Sequence, residues 1–231
     1  MSVGNFDNVV HIWRSCLEGS TADLEQAAAT LSDDEIERAQ RYKFSRDRRR
    51  FVAARAFLRK TLGGYLAAPP SELEFAYGRY GKPELLASHN EATLEFNLSH
   101  SGELALLAVT TDRRVGIDVE RIDEKTDVKA IALRFFSTAE NTALDKIPAE
   151  DRDFSIYCGW TRKEAFLKAI GCGLARPLDK FDVSLSSAPR LLRVGDDEEA
   201  SSKWTLCHLD PALGYVAALA VEGRGVQVVW R

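Results

Sequence analysis

The chain reads as an α+β protein, and three observations carry that expectation. Segments with apolar residues at helical spacing are interspersed with segments of alternating apolar and polar residues, without the regular strand–helix alternation of a doubly wound sheet. The 231 residues suit one or two domains with a substantial core. A balance of 45% apolar to 29% charged residues belongs to a globular chain rather than a disordered one.

The elements follow in order. Leu31-Ser32-Asp33-Asp34-Glu35 marks a helix start, with Ser32 as cap and Glu35 placed three residues on to close a capping box. A second helix is expected over residues 47–66. There Phe51, Ala54, Phe57, Leu58 and Leu62 share a core-facing side, and Arg48, Arg55 and Arg59 share another. Gly63-Gly64 weaken that helix and Pro69-Pro70 end it. Leu73 to Tyr77 alternates as a strand and leads into the glycine-punctuated turn Tyr77-Gly78-Arg79-Tyr80-Gly81-Lys82-Pro83. Strands are expected over Thr93–Leu98, Ala105–Thr110 and Val115–Val119, and helices over Lys129–Phe136 and Ser137–Leu144. The second of those helices opens on a capping box from Ser137 to Glu140. Asp153–Ile170 carries the longest helical pattern of the C-terminal half. Phe181–Leu185, Trp204–Leu209, Tyr215–Val221 and Val226–Trp230 alternate as strands, and the polar stretch Arg193–Lys203 reads as a loop. Neither a linker, a low-complexity tract nor a repeat recognisable by sequence identity interrupts this order.

Composition excludes several classes. No window approaches the roughly 18 uninterrupted apolar residues of a membrane helix, so no membrane partner is expected. The start Met1-Ser2-Val3-Gly4-Asn5-Phe6-Asp7 lacks the basic and apolar regions of a secretory signal. Cys16, Cys158, Cys172 and Cys207 form no C-x-x-C pair, which disfavours disulfide scaffolds and zinc ribbons and fits a reducing, cytoplasmic location. The net charge of −4 is unevenly spread. Arg38, Arg41, Lys43, Arg46, Arg48, Arg49, Arg50, Arg55, Arg59 and Lys60 face only Asp47, ten against one, a local +9 that attracts phosphates or an acidic protein surface. The plainer alternative is a solvated helix face. A nucleic-acid partner is not expected, because no helix-turn-helix glycine or RNA-binding aromatic signature accompanies the charge.

Three segments carry groups with chemical potential. On a strand, Asp118 and Glu120 of Gly116-Ile117-Asp118-Val119-Glu120 point to one side, and paired carboxylates tolerate each other best around a hard cation such as Mg²⁺. Alone, the segment reads first as an ordinary half-exposed strand with its polar side in water. In Trp160-Thr161-Arg162-Lys163-Glu164-Ala165-Phe166-Leu167-Lys168, Glu164 and Lys168 lie four apart, the favourable order for a helical ion pair, which decorates many helices. Phe96-Asn97-Leu98-Ser99-His100-Ser101 ends a strand with short polar groups that suit phosphate, or simply a turn.

Taken together, in this order and spacing, these segments closely resemble the 4′-phosphopantetheinyl transferases. The Tyr77–Pro83 turn, Arg134-Phe135-Phe136-Ser137 and the pair of glycines in Gly171-Cys172-Gly173-Leu174 continue the match, which runs from about Leu31 to Leu185. The length is that of the long, monomeric Sfp type rather than the short trimeric holo-acyl-carrier-protein synthases.

The resemblance implies transfer of the phosphopantetheine arm of coenzyme A to a serine of an apo acyl or peptidyl carrier protein, releasing 3′,5′-ADP. It implies two similar-sized, pseudo-twofold-related α+β halves with the active site in the cleft between them. The join near Asp112–Val115 gives halves 1–113 and 114–231. It further implies Asp118, Glu120 and Glu164 as ligands of Mg²⁺, or of Mn²⁺, and Lys168 as a cation on the phosphates. Glu164 doubles as the acceptor of the serine proton. Arg55, Arg79, Lys82, Ser99 and His100, with Asp118 and Lys168, fall where the family binds coenzyme A. The carrier surface is expected near Ile122–Phe136, and the protein as a monomer. Attack on a pyrophosphate phosphorus develops negative charge that such cations stabilise. Val119 is apolar where some relatives carry a polar residue, and Cys172 reads as packing. A catalytically silent carrier-binding module is disfavoured because Asp118, Glu120, Glu164 and Lys168 are all present.

Overall fold

The computed structural model describes residues 8–89, 93–173, 176–195 and 199–231. The chain runs twice through one series of elements. In the first pass a strand, β1 (Val9–Cys16), precedes two short helices, α1 (Thr21–Ala28) and α2 (Asp33–Gln40), and the long helix α3 (Ser45–Leu66). A small hairpin, β2 (Phe75–Tyr77) and β3 (Pro83–Leu85), leads to β4 (Leu94–Ser101) and β5 (Leu104–Thr111). The second pass repeats it: β6 (Val115–Arg121), α4 (Val128–Phe135), α5 (Thr138–Leu144) and α6 (Ala149–Ile170), then β7 (Phe181–Val183) with β8 (Leu191–Val194), then β9 (Trp204–Leu209) and β10 (Tyr215–Glu222). Sheet orders match as well, β1-β5-β4 and β6-β10-β9, with every neighbouring pair antiparallel. A last strand, β11 (Gln227–Trp230), crosses back and pairs in parallel with β1, so the C-terminal residues join the first sheet. This is the α+β fold of two similar halves.

Alternation along each strand explains the layering. Leu104, Leu106 and Ala108 of β5 and Ile12 of β1 meet Ile117 and Val119 of β6 and Leu219 of β10 in one apolar layer between the sheets. The opposite residues, Leu107 and Val109, face Leu58 and Leu62 of α3. In the second half Ala165, Phe166 and Ala169 of α6 cover Ala218 and Ala220 of β10. The order is therefore helix, sheet, sheet, helix. β5 is buried at all eight positions, which explains its nearly unbroken apolar sequence. No helix among the described residues is long and apolar enough to cross a membrane. All four cysteines are free thiols, and Cys172 packs against the core of the second half.

The halves are fastened internally by the same device. Glu35 closes the capping box of α2, accepting from the Ser32 amide at 3.1 Å, and its carboxylate is buried against Arg55 and Arg59 of α3. Arg59 also donates to the carbonyls of Pro70 and Leu73, both at 2.9 Å, and so holds the segment that enters the hairpin. Glu140 closes the box of α5 in the same way, accepting from the Ser137 amide at 2.8 Å and pairing with the fully buried Lys163 of α6 at 2.8 Å. Lys163 then donates to the carbonyls of Leu178 and Phe181, both at 2.7 Å. Burial pushes the Glu140 carboxyl up and the Lys163 ammonium down, each offset by the partner's charge.

Several expectations need correction. β4 runs on past the expected Leu98, so Ser99, His100 and Ser101 are its last three residues. α3 begins at Ser45 rather than residue 47, and α6 begins at Ala149, before the expected Asp153. β1 and α1 were not expected at all. Arg193 and Val194 belong to β8, not to a loop, while residues 196–198 of that stretch, like Leu174, lie outside the described residues.

Two sets of variants test this packing. A Cβ on Gly116 of β6 would lie 2.1 Å from the Ala165 carbonyl oxygen and 2.3 Å from the Ala169 nitrogen, so only glycine lets α6 lie this close to β6. Gly116→Ala is expected to lower stability by about 3 kcal/mol or more, roughly 6–12 °C in melting temperature. Gly64→Ala, which meets nothing within 4 Å, should instead raise stability by about 0.4–1 kcal/mol. Glu35→Gln and Glu140→Gln each leave buried cations without a counter-charge and should cost about 3–5 kcal/mol. Thermal unfolding reads all four; a neutral Glu35→Gln would contradict the fastening role.

Candidate functional site

β6 is the edge of its sheet, and its outward-facing amides are closed by side chains rather than by a strand. Asn97 Oδ1 of β4 accepts from the Ile117 amide at 2.8 Å, Ser99 Oγ from Val119 at 3.3 Å and Ser101 Oγ from Arg121 at 3.1 Å. The pleat puts residues 97, 99 and 101 on one side of β4, so one alternating polar row seals the seam between the halves.

The same row reaches the carboxylates of β6. Ser99 Oγ donates to Asp118 Oδ1 at 3.1 Å and Ser101 Oγ donates to Glu120 Oε2 at 2.8 Å. From the other side α6 presents Trp160, Glu164 and Lys168, one turn apart on one face. Lys168 Nζ donates to Asp118 Oδ1 of its own half at 2.6 Å and to Ser99 Oγ across the seam at 2.9 Å. Trp160 Nε1 donates to Glu120 Oε1 at 3.3 Å. With one hydrogen given and two accepted, the Ser99 hydroxyl is fully used.

Electrostatics single out what is missing. All three carboxyls are held above the ordinary range, chiefly by burial. Glu164 is pushed up to about 7 by burial and then by Asp118 and Glu120, against the pull of Lys168. Asp118 Oδ2 and Glu164 Oε1 are buried and have no hydrogen-bond partner among the described residues. Two orphaned carboxylate oxygens beside a third carboxylate make a donor set that fits a hard divalent cation. As placed, no three ligating side chains among the described residues stand close enough to hold one, so a bound ion would have to draw them together.

The remaining expected residues divide. Lys82 reaches the seam: its Nζ donates to the Val115 carbonyl at 3.2 Å, and burial holds its ammonium below the ordinary lysine range against the pull of Glu95 and Glu84. Arg79 is exposed, over the ring of Tyr80 at 5.5 Å. Tyr80 lies against Gly173 and Lys82 beside Gly171, so the β2–β3 turn of the first half closes on the end of α6. Both glycines hold positive φ, 68° and 53°, which ends the helix under that turn. His100 is exposed, and by alternation stands on the opposite side of β4 from Ser99. Desolvation, then Lys168 and Arg50, hold its imidazole below the ordinary range.

Arg55 does not project from a basic face. It is buried on Glu35, and its Nη2 donates to the Tyr77 hydroxyl at 3.2 Å at the start of the glycine turn. Nor is the basic run opposed by Asp47 alone, because Arg50 pairs with Glu18 at 2.8 Å and Glu103 at 3.6 Å. Beside Glu120 a cavity of about 170 Å³ opens between α4 and α6, lined by Val128, Ile131, Ile156, Tyr157 and Trp160. Ile122, which follows β6, and Leu133 of α4 are exposed.

Sequence reasoning did not give Asn97, Ser101 or Trp160 a role. The readable signal was the polar alternation Asn97-x-Ser99-x-Ser101 on a strand whose remaining residues are mostly apolar.

Comparison with known proteins finds relatives for both halves of the chain. Residues 114–220 match the family model of the 4′-phosphopantetheinyl transferase superfamily, and residues 15–112 match that of the 4′-phosphopantetheinyl transferase N-terminal region. The chain is 42% identical over 219 residues to the 4′-phosphopantetheinyl transferase HetI of Nostoc sp., covering 94% of this chain and 90% of that one. It is 34% identical to the 4′-phosphopantetheinyl transferase psf-1 of Bacillus pumilus, over 82% of this chain and 78% of that one. With the 4′-phosphopantetheinyl transferase Sfp of Bacillus subtilis it shares 30% identity, over 72% and 71%.

Proposed function

The chain belongs to the 4′-phosphopantetheinyl transferase superfamily, and we propose that it moves the 4′-phosphopantetheine arm of coenzyme A to a serine of an apo acyl or peptidyl carrier protein, with Mg²⁺ or Mn²⁺ held by Asp118, Glu120 and Glu164. The observation that carries this reading is the convergence at the seam of three carboxyls and Lys168, with two buried oxygens unpartnered among the described residues. When bound, the ion supplies positive charge to the pyrophosphate oxygens.

The chain's own residues do the rest. Arg79, Lys82 and His100 face the nucleotide and its phosphates around the Tyr77–Pro83 turn. Arg55 and Ser99 act from behind, Arg55 by holding Tyr77 and Ser99 by holding Lys168. Lys168 is a compact charge on a mobile stem and can turn from Asp118 to the phosphates. The serine oxygen attacks the β-phosphorus, the bond to the 3′,5′-ADP oxygen breaks, and the serine proton passes to Glu164. The cavity beside Glu120 and the exposed Ile122 and Leu133 support docking of the carrier along Ile122–Phe136, while the exposed arginines before and within α3 speed encounter with an acidic partner. Cytoplasmic location and a monomeric state complete the reading.

Intact-mass measurement of several apo carrier proteins, incubated with the enzyme, coenzyme A and Mg²⁺, tests it. One carrier should gain the mass of a single phosphopantetheine arm on a serine, and no gain on any carrier would overturn the substrate assignment. Lys82→Ala removes a charge-assisted contact of about 1.5–3 kcal/mol, so the KM for coenzyme A should rise roughly 10- to 100-fold. An unchanged KM would remove Lys82 from the nucleotide site. Glu164→Gln should stay depressed by about two to four powers of ten at saturating metal and coenzyme A, whereas full rescue by excess Mg²⁺ would leave it a ligand only.

A further inference from the structure

We propose that Ser101 is a positioning residue for Glu120, through which the first half of the chain sets the ligand geometry of the second; this rests on the metal site proposed above. Glu120 is the only one of the three carboxylates with both oxygens held by side chains among the described residues: Oε2 by Ser101 from β4 and Oε1 by Trp160 from α6. One donor comes from each side of the seam, so the plane of the carboxylate is fixed by the docking of the two halves.

The direction of the Ser101 hydroxyl follows from its inventory. It has one hydrogen and two acceptor lone pairs. The Arg121 amide takes a lone pair at 3.1 Å, leaving the hydrogen for Glu120 at 2.8 Å. Each carboxylate oxygen keeps a second lone pair when it accepts one hydrogen bond, so Glu120 can be oriented and still present oxygen to a cation. Asp118 and Glu164 differ, each with one buried oxygen that has no hydrogen-bond partner among the described residues. The division is thus one pre-oriented carboxylate and two that close on the ion. Ser99, one rung along, is taken up by Asp118, Lys168 and Val119 and cannot substitute.

Ser101 is half-buried, so its loss opens little space, and the Asn97 rung supplies a matched control. Asn97 seals the same seam through the Ile117 amide, a backbone donor rather than a carboxylate. The test is Mn²⁺ titration by electron paramagnetic resonance, with neither coenzyme A nor carrier present, on the full-length wild type, Ser101→Ala, Ser101→Thr and Asn97→Ala. Ser101→Ala should weaken Mn²⁺ binding about 10- to 100-fold, the usual loss when a group orienting a metal ligand is removed. Ser101→Thr keeps the hydroxyl and should restore binding. Asn97→Ala should lower the melting temperature and leave Mn²⁺ affinity near that of the wild type. Unaltered Mn²⁺ binding in Ser101→Ala would overturn the positioning role alone. So would an equal loss in Asn97→Ala, which would mark a loosened seam rather than a misaimed carboxylate. No Mn²⁺ binding by the wild type would overturn the metal site and this role with it.

Discussion

The β6 edge that pairs with no strand among the described residues is the constraint around which the molecule is arranged. An edge strand carries amides that need acceptors, and in most folds water or another strand supplies them. Here the acceptors are the side chains of Asn97, Ser99 and Ser101, projecting from β4 of the other half. A side-chain seal does what a backbone ladder cannot. It leaves a polar seam between the sheets, wide enough to hold Asp118 and Glu120, while the apolar layer of Ile12, Leu106, Ile117 and Leu219 still binds the sheets behind it. Gly116 completes the geometry by admitting the backbone of α6 against β6, which brings Glu164 and Lys168 to the same seam. Buried carboxyls gathered this way repel one another, and that crowding is the physical reason for the cation site proposed above.

The two halves share their construction and divide the chemistry. Glu35 with Arg59, and Glu140 with Lys163, are one device built twice, each basic residue being the fifteenth of a 22-residue helix. The next residue is Lys60 in α3 and Glu164 in α6, and four positions further stand Gly64 and Lys168. The first half therefore keeps the buried acid–cation fastening without the Glu and Lys that α6 carries at those two positions. What it contributes is the wall of the seam and the Tyr77–Pro83 turn, buttressed by Arg55 and seated on the glycines that end α6. The return of β11 to β1 ties the end of the second pass to the start of the first.

Much of this was legible in the chain because it depends on local rules. The capping boxes at Ser32 and Ser137 form as their spacing requires, and the apolar face of α3 is the one its periodicity marks. The carboxylates of β6 share a side because strands alternate. What escaped reading depends on residues distant in sequence. β1 has apolar residues on both faces, because Val10 and Ile12 enter the layer between the sheets while Trp13 packs on the α3 side with Tyr65, and so it shows no clean alternation. The pseudo-twofold repeat is carried by an acid in a capping box and a cation deep in the following long helix, too few letters to register as similarity. Arg55 looked free because Glu35 lies 20 residues away in sequence. The strand ending at Ser101 was cut short because a row of Asn and Ser is a turn signal until a second edge strand gives it something to bind.

Amide hydrogen exchange followed by nuclear magnetic resonance tests the seam most directly. The amides of Ile117 and Val119 point away from β10 and have only the Asn97 and Ser99 side chains to protect them. If β4 side chains close the β6 edge, both amides should exchange as slowly as those of β10, the central strand of the same sheet. Exchange of Ile117 and Val119 at the rate of an open edge strand, with β10 still protected, would mean that the halves are not joined there, and that Asp118, Glu120, Glu164 and Lys168 are not held together by the fold.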